Sequence, residues 1–354
     1  MTHRDLTFPD HFLWGTASAA HQVEGSNTNN DWSSYEQQPG AIWHGDRSGL
    51  ACDWWRDAEQ DLDLMAELGH NTHRLSVEWS RIEPEEGTFD PSAVRRYREM
   101  LVGLRKRGIE PMVTLFQFTT PLWLARQGGW SNPAAIRYFR SFVRQAVDQQ
   151  GDLVTLWSTI NQPNVYAALG YLLGEHAPGK RSLLLYYRVL DHLLQAHAAA
   201  YRVIHALHEG AQVGLVKHVQ IFEPLDPADR ASAGLARFLD HMFNELTLRA
   251  VVDGRLRFPL SLGLGIHGPL VDSVDFWGLN YYHRQRVSLR NQNGGRLHVL
   301  QVTPSAQVSD FGRNGTYGEI YPLGMYRALD RMKRLGKPIY ITENGLPDAE
   351  DTLR

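Results

Sequence analysis

A chain of 354 residues, 43% hydrophobic and 21% charged, has the balance of a globular protein and not of a disordered one. The net charge of −3 gives no basis for binding nucleic acid or an anionic membrane surface, and no apolar stretch approaches the length of a membrane-spanning helix. The only cysteine, Cys52, excludes an intrachain disulfide, and Met1 to Asp10 lacks the apolar core of a signal peptide, so a cytoplasmic setting is expected.

In chain order, apolar runs near Leu13–Ala17, Arg74–Val77, Met112–Phe116, Leu156–Ile160, Val213–Val216, Phe276–Asn280 and Ile339–Thr342 read as seven strands. Helix-period segments lie between them. Val94, Tyr97, Leu101 and Leu104 share one face, as do Ile136, Phe139, Val143 and Ala146. Asp90-Pro91 and Asn132-Pro133 place a capping side chain before a proline suited to the first helical turn. Gly69, Gly108, Gly151 and Gly336 each stand between a helix and a strand, where a left-handed residue ends the helix. Asn291-Gln292-Asn293-Gly294-Gly295 reads as a turn, that of a hairpin inserted after the sixth strand.

Repeated βα units with nearly continuous apolar strands argue for a parallel sheet covered on both faces. A doubly wound nucleotide binder would carry a glycine-rich phosphate loop after an early strand, and none is present. Most of the strands end instead in polar or aromatic residues, as they would in a barrel whose site lies at the C-terminal face. The fold expected is an α/β barrel of the TIM (β/α)8 type, a single domain over residues 1–354 that lacks the eighth βα unit. Ten Trp and fourteen Tyr supply flat faces suited to sugar rings as well as to the core.

Two strand ends carry the chemistry. One is Thr159-Ile160-Asn161-Gln162-Pro163, and the other is Ile341-Thr342-Glu343-Asn344-Gly345. Together they resemble the active-site strands of family 1 β-glycosidases. Further motifs follow in that family's order: Phe12-Leu13-Trp14-Gly15-Thr16 leading to Gln22-Val23-Glu24-Gly25, then Arg74-Leu75-Ser76-Val77-Glu78-Trp79-Ser80-Arg81, and Asn280-Tyr281-Tyr282. The resemblance covers essentially residues 6–347 and implies a retaining mechanism. It makes Glu343 the nucleophile, Arg74 the arginine that holds it ionised and Tyr282 the tyrosine beside it. Gln22, Gln117 and Asn161 become sugar contacts, and Gln162 takes the acid/base position. No cofactor and no metal are implied. The partner expected is a β-glycoside or another sugar ligand.

The chain departs from the family pattern in three places. Gln162 stands where the family has a glutamic acid, so hydrolysis of ordinary O-glucosides is expected to be weak; the substitution also resembles that of myrosinases, the plant thioglucosidases. Gln117 stands where the family usually has histidine. The family also normally continues with an eighth strand and a Trp-rich motif, neither of which appears in residues 344–354. Three readings stay open: a fragment, a barrel closed by a second chain or a homo-oligomer, and loops covering the gap. A non-hydrolytic sugar- or small-molecule-binding pseudoenzyme or partner subunit is the alternative function, and a transglycosylase is a third. His192, His197, His205 and His208 share one helical stretch, but hydrogen-bonded or solvent-facing roles suit them better than a metal pair.

Overall fold

A strand that is apolar on nearly every residue needs cover on both faces, and amphipathic helices between such strands supply it. The computed structural model describes residues 7–255, 268–289, 300–301 and 318–348. The strands among them are β1 (Gly15–Ala17), β2 (Thr72–Ser76), β3 (Glu110–Phe116), β4 (Leu156–Asn161), β5 (Gln212–His218), β6 (Ile221–Pro224), β7 (Phe276–Asn280), β8 (Arg284–Val287), β9 (Leu300–Gln301) and β10 (Ile339–Glu343). Seven form one parallel sheet in the order β1-β2-β3-β4-β5-β7-β10, a nearly closed α/β barrel. They are the seven strands expected from the sequence, with β5 running on to His218. No eighth strand joins this sheet among the described residues.

A second sheet, β6-β8-β9, was expected only as a hairpin after the sixth strand; β6 escaped the sequence reading because it is short and carries no period. β8 and β9 pair antiparallel on either side of the expected turn at Asn291–Gly295, which itself lies outside the described residues. The helix starts follow the capping signals: Asp90 Oδ1 accepts from Ser92 N at 2.7 Å and Asn132 Oδ1 from Ala134 N at 3.0 Å. Gly69, Gly108 and Gly336 take positive φ as expected, but Gly151 has φ −62°. Gly151 is needed for a different reason, since a Cβ there would lie 2.7 Å from the Val147 carbonyl oxygen. No helix among the described residues is long and apolar enough to cross a membrane.

The main core lies between barrel and helices, where Trp79 stacks on Phe142 with ring centroids 5.1 Å apart and Phe116, Trp130 and Phe139 complete the cluster. A smaller cluster of Met112, Leu156 and Phe276, with Leu13 and Tyr340 against it, forms the floor inside the barrel. The inward direction on β5 and β7 can be read from their glycines. A Cβ on Gly214 would meet the Phe276 ring at 2.3 Å, and one on Gly278 would meet Val216 Cγ2 at 2.6 Å. Gly214 and Val216 of β5 therefore face Phe276 and Gly278 of β7 inside the barrel, in the layered packing of such folds.

Buried acids anchor the N-terminal segment that carries Gln22. Glu24 accepts from Arg81 Nε at 2.8 Å and from the Tyr97 hydroxyl at 2.7 Å. Asp31 accepts from Thr120 N at 2.8 Å. Burial raises both carboxyls to about 7, outweighing Arg81 at Glu24 and the Thr120 amide at Asp31.

Two outcomes are expected from this packing. Gly214→Ala must displace the Phe276 ring and should cost about 1–3 kcal/mol, seen as a lower urea midpoint with unchanged slope; an unchanged midpoint would show that the floor has room. The raised carboxyl of Asp31 contributes stability below its ordinary pKa and loses it as pH rises towards about 7, because the folded state retains a proton that the unfolded chain gives up. Asp31→Asn does not titrate, so its stability relative to the parent should improve steadily across that window, as measured by urea midpoints at stepped pH. A pH-independent difference would place the Asp31 pKa at its ordinary value.

Candidate active site

Arg74 lies within β2 and points into the barrel, with its side chain only 4% exposed. A guanidinium has five N–H donors and no acceptor, so burying it demands several oxygen partners. Nε donates to Thr114 Oγ1 at 2.9 Å. Nη1 donates to Glu343 Oε1 at 2.6 Å and to the Thr342 carbonyl at 3.3 Å. Nη2 donates to Asn161 Oδ1 at 2.9 Å and to Gln117 Oε1 at 3.3 Å. One side chain thus ties β2 to β3, β4 and β10. The layer is completed by Asn280, whose Nδ2 donates to Asn161 Oδ1 at 3.1 Å and whose Oδ1 accepts from Thr342 Oγ1 at 2.6 Å.

Glu343 ends β10, where the register against β7 shifts between Ile341 and Glu343. Such an irregularity re-aims the side chain that follows it. The Glu343 side chain is 15% exposed, enough to be reached from the mouth. Its second oxygen, Oε2, accepts from the Tyr282 hydroxyl at 2.5 Å and from Gln162 Nε2 at 3.3 Å. The carboxylate is therefore held on one oxygen by a buried cation and on the other by two neutral donors. Losing one partner of such a buried pair leaves the other charge uncompensated, at a cost of roughly 3–5 kcal/mol.

The β4–β5 pairing also shifts, between Ser158 and Asn161. Gln162 follows with φ 49° and ψ 59°, a left-handed conformation that is rare outside glycine. Its N–H donates to the Val216 carbonyl at 2.8 Å, and Pro163 starts the next helix. This combination turns the Gln162 side chain towards Glu343. Strain of this kind persists only where the surroundings over-determine it, and it concentrates at functional sites.

Six of the residues singled out from the sequence meet in one hydrogen-bonded group: Arg74, Gln117, Asn161, Gln162, Tyr282 and Glu343. Gln22 does not join it. It sits on the short helix Ala20–Val23, exposed, with no side-chain hydrogen bond among the described residues. Thr114, Asn280 and Thr342 were not assigned from sequence, although each is a polar residue in or at the end of an apolar strand, which is the available signal. Three of the four histidines of this stretch are hydrogen-bonded, His192 to the Trp130 carbonyl, His197 to Thr159 and His205 to Asp275, whereas Nδ1 of His208 is buried without a partner among the described residues. Among the described residues no group of three or more His, Cys, Asp or Glu could hold a metal ion.

The chain's relatives share this arrangement of strands. Beta-glucosidase A of Thermotoga maritima is 31% identical over 361 residues, which cover 96% of this chain and 78% of that protein. The solved beta-glycosidase from Pyrococcus horikoshii superposes with a TM-score of 0.84 at 36% identity, covering 98% of this chain and 78% of that one. The Thermotoga maritima beta-glucosidase in complex with glucoimidazole gives a TM-score of 0.87 at 29% identity, with 97% and 80% of the two chains covered. The sequence profile of Glycosyl hydrolase family 1 matches residues 4–353, and the chain belongs to that family.

Proposed function

We propose that this protein is a retaining β-glycosidase of the β-glucosidase type in which Glu343 is the nucleophile and Gln162 occupies the acid/base position. The observation that carries this reading is the Glu343 carboxylate itself. It is fixed by Arg74 at 2.6 Å and Tyr282 at 2.5 Å, yet remains reachable from the barrel mouth. In the first step a Glu343 oxygen attacks the anomeric carbon and the bond to the leaving oxygen breaks. In the second, water or another acceptor attacks the same carbon and the carboxylate is released. On this reading Gln117 and Asn161 line the sugar site, and Gln22 is a further sugar contact. The exposed lone thiol of Cys52 fits a cytoplasmic setting.

Gln162 sets the limits of this chemistry. Its amide can hydrogen-bond to a leaving oxygen but has no ionisable proton to give it. Substrates whose leaving groups need protonation should therefore react slowly, and activated glycosides should not. A second reading, a sugar-binding protein without turnover, draws its support from the 3.3 Å bond between the Gln162 amide and Glu343 Oε2. That bond occupies the nucleophile with a neutral donor where an acid/base pair would have two carboxyl groups.

Two experiments test the reading. With 2,4-dinitrophenyl β-glucoside, whose leaving group needs no acid, a burst of dinitrophenol should accompany one hexosyl adduct in the intact mass. Both should vanish in Glu343→Ala, and a folded protein with neither burst nor adduct would favour the binding reading. Gln162→Glu restores a proton donor beside an existing carboxylate, whose charge pushes the new acid's pKa upward, as a general acid requires. On alkyl β-glucosides its kcat/KM should rise on the order of 10²–10⁴-fold, with little change for the dinitrophenyl substrate. Equal rates for parent and variant on both substrates would remove Gln162 from the acid/base position.

A further inference from the structure

Side chains alternate in direction along a strand, and on β5 the inward ones are known: Gly214 faces the Phe276 ring and Val216 faces Gly278. His218 has the same parity and stands at the C-terminal end of the strand, so its imidazole projects into the barrel mouth. Lys217 has the opposite parity, and its ammonium lies over the ring of Phe243, a ring that also meets that of His218 edge-on. The strand pairings set His218 between the two strands that bear site residues. Val216 lies beside Asn161 of β4 and accepts from Gln162 N at 2.8 Å, while His218 lies beside Asn280 of β7. The His218 ring meets Tyr282 edge-on, with centroids 5.7 Å apart, and the Tyr282 hydroxyl is the group bonded to Glu343 Oε2. His218 is 6% exposed, and its Nε2 has no hydrogen-bond partner. A buried ring nitrogen left unpaired is costly, and at the edge of a site it marks a place for water or substrate.

We propose that His218 is the base that activates water in the second half of the reaction, the task that the Gln162 amide cannot perform; the proposal rests on reading Glu343 as the nucleophile. A lone pair of the imidazole takes a proton from water as the water oxygen bonds to the anomeric carbon. The bond from that carbon to Glu343 breaks, its electron pair returns to the carboxylate, and the imidazolium then gives its proton to solvent. Burial, with His283 and Lys217 close by, holds the His218 pKa well below its ordinary value, so the lone pair is available at neutral pH. The Tyr282 and Phe243 rings also pack against the imidazole.

The test uses the full chain with 2,4-dinitrophenyl β-glucoside, comparing the parent with His218→Asn and His218→Ala. Burst amplitude reports the folded, reactive fraction, and later turnover reports release of the sugar from Glu343. The variants should keep the burst, accumulate the hexosyl adduct and turn over on the order of 10²-fold more slowly. Their turnover should also lose the fall at low pH that protonation of the imidazole causes in the parent. Azide, which attacks without a base, should restore turnover in His218→Ala and yield the β-glucosyl azide. Parent-like turnover in both variants, or a slow turnover that azide does not relieve while the burst is intact, overturns the proposal. No dinitrophenol release and no adduct in the parent itself would instead overturn the underlying assignment of Glu343, and the proposal with it.

Discussion

The buried guanidinium of Arg74 is the contact on which the rest of the site depends. It donates to side chains or carbonyls at the C-terminal ends of β3, β4 and β10, and through Asn161 it reaches Asn280 at the end of β7. A cation buried to this extent is tolerated only if its donors are matched by acceptors, and here they are Thr114, Gln117, Asn161, Glu343 and the Thr342 carbonyl. Barrel geometry and site geometry are thus one constraint. The strands must be in register for Arg74 to be satisfied, and when it is satisfied Glu343, Asn161 and Gln117 are in place.

That network explains why an amide fits at position 162. Two carboxylates on one oxygen-lined wall repel, and proteins relieve the repulsion by keeping one of them protonated. The Gln162 amide relieves it by donating to Glu343 Oε2 and carries no charge at any pH. On the proposed reading, this order in the ground state comes at the expense of the proton donor. The surrounding backbone still has the distortions expected of a working site: a left-handed Gln162, and strand irregularities immediately before both Asn161 and Glu343. Side chains aimed by such features are set by the backbone and not by rotamer choice, so a Glu at 162 would start from the same direction.

The polarity of the barrel interior changes sharply with height. The floor is Met112, Leu156 and Phe276, and the next layer is built around Gly214, Val216 and Gly278, where there is no room even for a methyl group. The layer above is almost wholly polar, with Arg74, Asn161, Asn280, Thr342 and Glu343 bonded to one another. The apolar floor offers few hydrogen-bonding groups, and an apolar surrounding strengthens the electrostatic contacts above it. His218 belongs to that upper layer by register with Asn280.

The sequence by itself determined the seven barrel strands, because unbroken apolar runs between amphipathic helices admit few folds. It also pointed to six residues that the structure brings into one hydrogen-bonded group, because polar residues closing apolar strands fall at one end of a parallel barrel and their order resembles a known family. Of the β6-β8-β9 sheet only the hairpin was legible, from its turn; β6 was not, since a short strand carries no periodic signal. The role of Gly151 was misread, because a close backbone approach leaves no trace in sequence that distinguishes it from a helix cap. Only the tertiary structure decided which oxygen of Glu343 each donor takes, that Gln22 stands outside the hydrogen-bonded group, and that His218 has the inward parity of β5 while Lys217 has the opposite one. Those facts depend on strand register and on local irregularities such as the shift before Glu343, and a shift of one residue there reverses which side chains face the mouth.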